Sequence, residues 1–239
     1  MLRTILLIIA FVMVWIMAIN CNSTLKKNAT KFYVISIIIC IAVTVVMLYS
    51  QFYYDNFPKG FFNTWYMMPY RLIQNGLMGA AIWSFVMLAR HIPNTSVKTK
   101  VMSVRSELSI IGFFLTFPQT FVYTVGAFSG ITSSPISLIY PLITAIYLIL
   151  LLVLGITSFP KVRNKMSAVK WKKIQKYAYV FYYLLFVQLI FISLRRFIGS
   201  ISYDSGILEI VMACIRVVIY LAVFVMWHIL KSRTKRKIK

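Results

Sequence analysis

Acidic residues are nearly missing from this sequence: four Asp and Glu stand against 26 Lys and Arg in 239 residues, and His occurs only twice. That scarcity excludes the usual soluble active sites, because acid–base and metal chemistry needs carboxylates and imidazoles in groups. No Walker loop, dinucleotide fingerprint, HExxH or plausible Ser-His-Asp set is present. If the chain takes part in redox chemistry, nicotinamide and flavin must be held by another polypeptide. Three cysteines, Cys21, Cys40 and Cys214, show no metal-ligand spacing. Cys40 and Cys214 fall inside apolar runs, where thiols are expected to be buried as small hydrophobes. Charged residues of all kinds make up 13% of the chain and apolar ones 61%, which leaves too little polar surface to cover a water-soluble globule.

The apolar residues gather into runs about as long as a hydrocarbon core is thick, roughly 17 to 25 residues per helix. The expected fold is an all-α polytopic transmembrane helical bundle of about seven spans, near 4–20, 33–50, 75–90, 108–128, 136–158, 177–194 and 207–230. The third is short, carries Gly76 and Gly79 at its start, and is expected either to tilt or to begin earlier, within residues 65–70. The first is read as a retained anchor rather than a cleaved signal: its apolar core is long and the sequence around Ala18 to Cys21 is a poor cleavage or lipidation site.

A formal charge of +22 would point to nucleic acid in a soluble chain. Here the cations sit between apolar runs and read as topology signals and contacts with anionic lipid, so no nucleic acid is expected. With seven spans, Arg3, Lys59, Arg71, Arg195 and Arg196 fall on the amino-terminal side. Apart from Arg216, the remaining cations, including the tail from Lys231 and those between Lys161 and Lys176, fall on the other side. The positive-inside rule then places the amino terminus outside and the carboxyl terminus in the cytoplasm of a multi-pass cell-membrane protein. No repeat or long loop divides the chain, so residues 1–239 form one membrane domain. The aromatic-rich segment 51–73 is expected to lie among lipid headgroups, or alternatively to form a partner surface.

Two stretches carry a family resemblance: RSELSIIGFFLTFPQ at residues 105–119 and WKKIQKYAYVFYYLLFVQ at residues 171–188. They resemble the ferric-reductase-like transmembrane domain, including the membrane haem subunit of the bacterial methionine sulfoxide reductase system. The resemblance covers residues 69–194. It implies a six-helix core with one extra span, a bacterial inner-membrane location, b-type haem, electron transfer and a flavin-binding or reductase partner. It also implies haem ligands at the ends of the two motifs, and at these positions the chain has Gln119 and Gln188. At position 175, histidine in some branches of the family and glutamine in others, it has Gln175.

Spacing alone places Gln119 and Gln188 at matched depth. They lie 14 and 12 residues beyond Arg105 and Lys176, roughly 18 to 21 Å along helices of about 1.5 Å rise that run in the same direction. An amide oxygen is a poorer iron donor than an imidazole nitrogen. Three readings follow: a structural amide contact in a haem-free bundle, a redox site with other ligands, or a polar pocket for a small molecule such as a quinone. His91 and His228, both near the cytoplasmic boundary, are interfacial residues or, alternatively, ligands of a displaced haem. Arg216 lies mid-way along the last span, and Glu209, seven residues earlier, is its natural partner or shares with it a functional polar site. A haem-carrying electron-transfer subunit and a haem-free structural, assembly or small-molecule-binding membrane protein are the competing functions; a transporter is a third.

Overall fold

A computed structural model describes residues 2–53, 64–89, 91, 95–129, 138–202 and 207–236, excluding a few side chains within these segments, among them those of Arg195, Arg196 and Glu209. Every long apolar run becomes a helix. The order is α1 (Leu2–Ile19), a short α2 (Asn22–Lys27) and α3 (Ala29–Phe52), then a 3-10 turn (Trp65–Met67) leading into α4 (Met68–Gln74) and α5 (Leu77–Ala89). There follow α6 (Ser96–Ser103), α7 (Arg105–Ser129), α8 (Ile139–Ser158), α9 (Pro160–Arg163), α10 (Ala168–Gln175), α11 (Tyr177–Ser202) and α12 (Ile207–Arg236). Among the described residues there is no strand. The two polar helices, α6 and α10, start at hydroxyl caps: Thr95 accepts the Lys98 N–H at 3.4 Å and Ser167 accepts the Lys170 N–H at 3.3 Å.

Among the described residues five helices, α1, α3, α7, α8 and α12, are long and apolar enough to cross a membrane, and a sixth span results if α4 and α5 count as one bent unit. That unit starts at Trp65 and is bent by 51°, the earlier start of the two expected for the third span. The break has a local cause. Gly76 adopts φ +66°, a left-handed conformation that costs a residue with a Cβ but not glycine. The Asn75 side chain donates to the Arg71 carbonyl at 2.9 Å and the Gly76 N–H to the Ile73 carbonyl at 2.8 Å, closing the end of α4. The predicted sixth span corresponds to α11, which continues to Ser202, past the expected end at residue 194.

The core is centred on α5, which is buried along most of its length and packs against α1, α7, α11 and α12. Its small residues Gly79, Ala80, Ala81 and Ser84 allow close approach of neighbouring backbones, and α7 answers with Gly112, where an added Cβ would stand 2.8 Å from the Ile82 side chain. α7 in turn carries α3 on one side and α8 on another, and α11 and α12 pack along each other.

The outer faces are as apolar as the core. Ile38 and Ile41 on α3 are each 60% exposed, Ile149 on α8 is 59% exposed and Val218 on α12 is 57% exposed. Such continuous apolar faces are incompatible with water as the surrounding solvent and suit lipid. The architecture is that of a multi-pass α-helical membrane protein.

Three expectations need comment. The first span packs into the core: Leu6, Leu7, Ala10 and Val14 are buried, and the Thr4 hydroxyl donates to the Met212 carbonyl of α12 at 2.8 Å. Cys40 is buried, but Cys214 is exposed, because the buried face of α12 runs through Ala213, Tyr220 and Trp227. Residues 54–63 of the 51–73 segment lie outside the described residues; of its described aromatics, Trp65 is 78% exposed and stands edge-on to Tyr66.

Candidate functional site

Two cavities share walls from α5, α7, α8 and α11. The smaller, about 20 Å³, lies deep in the bundle and brings Gln119 of α7 and Gln188 of α11 to one space. Gly76, Ala80, Thr120, Tyr123 and Tyr147 complete its wall. The break between α4 and α5 is part of the design, because a Cβ on Gly76 would overlap the Gln119 amide oxygen. Pro118, buried in α7 beside Gln119, lacks an N–H and so interrupts the helix ladder at this depth. Thr116, Thr120 and Thr124 line one side of α7, with Thr120 donating to the Thr116 carbonyl at 3.0 Å and Thr124 to the Thr120 carbonyl at 2.7 Å.

The expected exchange of hydrogen bonds between the two glutamines is not made. Their amides line one cavity without a hydrogen bond between them among the described residues, because the cavity itself stands between the side chains. The Tyr147 hydroxyl faces the same region, is buried, and lies beside the Thr120 side chain. A space of this size takes about one water molecule.

The haem that the resemblance implies does not fit here. The two side chains at the motif ends offer amide oxygens, hard and weak donors for iron. The space between them falls far short of the roughly 300 Å³ at the lower end of organic-ligand pockets, since Gly76, Tyr147 and Leu185 close it. Among the described residues no group of three or more His, Cys, Asp and Glu is placed to hold a metal ion.

Gln175 belongs elsewhere. It donates to the Thr157 hydroxyl at 3.5 Å and lines the second cavity, of about 680 Å³, at the end of the bundle where α5, α8 and α12 finish and α7 and α11 begin. The three glutamines therefore do not share one site. Arg105, Arg163, Lys172 and Lys176 line this cavity together with His91, and no Asp or Glu does. Its deeper wall is aromatic and apolar: Trp83, Phe181, Tyr182 and Trp227 are nearly or fully buried. The Arg105 guanidinium lies beside the Tyr182 hydroxyl, and Arg163 stacks over Trp171 at 4.8 Å. The Trp171 indole donates to the Thr157 carbonyl at 3.2 Å, tying α10 back to the end of α8.

A partition separates the two cavities. The Trp83 indole donates to the Thr116 hydroxyl at 2.9 Å, Phe181 meets Trp83 edge-on at 5.0 Å, and Phe181 stacks on Tyr147 at 4.9 Å. Beyond it, Lys231 near the end of α12 sits over Trp227 at 4.5 Å and Tyr179 at 4.6 Å, pinning α12 to α11. His228 packs among Tyr183, Phe224 and Trp227 and does not line the cavity that His91 lines, so the two histidines do not face one space. Arg216 is half-buried in α12; the Glu209 side chain lies outside the described residues, and with it the expected pair.

Fold and site define a multi-pass helical membrane protein with an open, cation-rimmed cavity at one end and a closed amide cavity within. A protein of Treponema pallidum (strain Nichols), itself uncharacterized, is similar to it: 28% identical over 203 residues, 80% of this chain and 54% of the relative. The chain thus spans about half the length of the relative it matches. No family model matches the sequence, and no solved structure matches the fold.

Sequence reasoning had no direct signal for the basic-end cavity. Its cations read equally well as topology determinants. The clue was Arg163 and Trp171, bulky planar residues in a short polar stretch, which only the turn through α9 and α10 brings together.

Proposed function

We propose that this chain is a haem-free, ferric-reductase-like bundle of seven spans in a bacterial inner membrane, and that it binds a small molecule at its cytoplasmic face. The amino terminus lies outside and the carboxyl terminus inside, a reading that the distribution of cations supports. One observation carries the binding function: a cavity of about 680 Å³, within the roughly 300–1,000 Å³ range of small-molecule sites, with a polar rim and an aromatic wall. The cluster at Gln119 and Gln188 serves a structural role in place of redox chemistry, because its donors suit hydrogen bonds and not iron. Electron transfer with a flavin-binding or reductase partner is the alternative, and it requires iron ligands that this cluster does not supply. Around the site, the Lys- and Arg-rich tail and loops hold the cytoplasmic face to anionic lipid, at about 1 kcal/mol per basic residue near the surface.

Two measurements on detergent-purified protein test this reading. Absorption spectra of the oxidised and dithionite-reduced forms should show no Soret band; a b-type spectrum would overturn the haem-free assignment. Trp83, Trp171 and Trp227 line the cavity, so adding a bacterial polar-lipid extract to delipidated protein should shift the tryptophan emission. An unchanged emission would remove the binding function.

A further inference from the structure

We infer that the occupant of the basic-end cavity is an amphiphile with an anionic phosphate head. The head sits among Arg105, Arg163, Lys172 and Lys176, and the apolar body lies against Trp83 and Phe181. This rests on the small-molecule reading above and names the chemistry of the ligand.

Three features of the cavity converge on that chemistry. Four cationic side chains border one space that no carboxylate lines, and among the described residues none of the four is ion-paired with an acid. A single carboxylate is satisfied by one bidentate arginine, whereas a phosphate offers several strong acceptor oxygens and up to two charges for such a set. Two long helices also begin at the cavity. Arg105 is the first residue of α7, and Ala178 and Tyr179 lie in the first turn of α11, so the positive ends of both helix dipoles add to the field of the side chains.

Depth supplies the rest. Arg163, Lys172 and Lys176 are exposed at the rim, Arg105 is half-buried below them, and Trp83 and Phe181 are buried lower still. Polarity thus falls from the mouth inward over one continuous wall, the gradient that a phosphate head and a hydrocarbon body present. Lys170 and Lys173 on the same helix, α10, are exposed but do not line the cavity, which provides an internal control of equal charge.

The test uses the full chain, delipidated in a neutral detergent, with tryptophan emission titrated by short-chain phosphatidic acid and by diacylglycerol of the same chains. Phosphatidic acid should bind at least about tenfold tighter than diacylglycerol. The double variant Lys172→Gln/Lys176→Gln should weaken it by about fivefold for each cation removed, and Lys170→Gln/Lys173→Gln should leave it unchanged. Inorganic phosphate distinguishes the source: failure to displace phosphatidic acid supports the amphiphile, and displacement overturns it in favour of a soluble phosphate compound. Equal affinity for diacylglycerol, or insensitivity to the Lys172/Lys176 change, would overturn the phosphate assignment while leaving the small-molecule reading intact. An equal loss in the Lys170/Lys173 variant would reduce the effect to surface attraction and also overturn it. Absence of any binding would remove both. Unchanged elution and unfolding midpoint of each variant exclude misfolding as the cause.

Discussion

The closed amide cavity and the open basic one share walls from α5, α7, α8 and α11, yet they could hardly differ more in what they admit. In the interior, side chains from all four helices meet across the break at Gly76 and leave about 20 Å³. At the basic end the helices stop at different heights, short polar helices fold over them, and about 680 Å³ stays open. The contrast teaches that position in the bundle, and not polarity alone, separates a packing contact from a binding site. Two glutamines in an apolar interior draw attention in a sequence, but the fold seals them, and the common lysines and arginines of a loop form the accessible surface.

This contrast is open to attack by mutation. The largest effect is expected from Gly76→Val, which places a β-branched side chain at φ +66° and against Gln119. Strain and overpacking together should cost about 3 kcal/mol or more, read as a lowered thermal unfolding midpoint in detergent. Next is Trp83→Phe, which breaks the partition by deleting the indole N–H held by Thr116. Loss of a buried hydrogen bond should destabilise by about 1–2 kcal/mol, and denaturant or thermal unfolding measures it. Gln119→Leu and Gln188→Leu, whose amides face a space that takes about one bridging water, should each cost about 0.5–2 kcal/mol. Because both line one cavity, the double variant should lose less than the sum of the two, a non-additivity that a double-mutant cycle reads. The smallest effect on stability belongs to Lys172→Gln/Lys176→Gln, exposed at the rim, which should stay within about 0.5 kcal/mol of the parent.

Much of the fold was legible because lipid imposes a simple rule. Spanning segments need uninterrupted apolar length, and residues 33–50, 108–128 and 207–230 reappear inside α3, α7 and α12. The third span was harder, since its apolar run is interrupted at Asn75-Gly76 and only the closure of α4 on itself explains how both parts belong together. Matched depth of Gln119 and Gln188 followed from helical rise alone. The gap between them did not, because it depends on Gly76 and Tyr147, from two other places in the chain, and on Leu185, from the preceding turn of α11. The basic-end cavity was the least legible. Periodicity locates helices, but it says nothing about how the polar turn at residues 160–175 folds back, and that turn places Arg163, Lys172 and Gln175 on the cavity wall.

The central claim is that the closed amides stabilise the bundle and the open cations bind the ligand. A single paired experiment separates these roles: thermal unfolding of Gln119→Leu/Gln188→Leu and of Lys172→Gln/Lys176→Gln, each with and without short-chain phosphatidic acid. The first variant should unfold at a lower temperature and keep its ligand-induced rise, and the second should unfold like the parent and lose most of that rise. The opposite pattern, with the rise lost in the amide variant and kept in the lysine variant, would contradict the account.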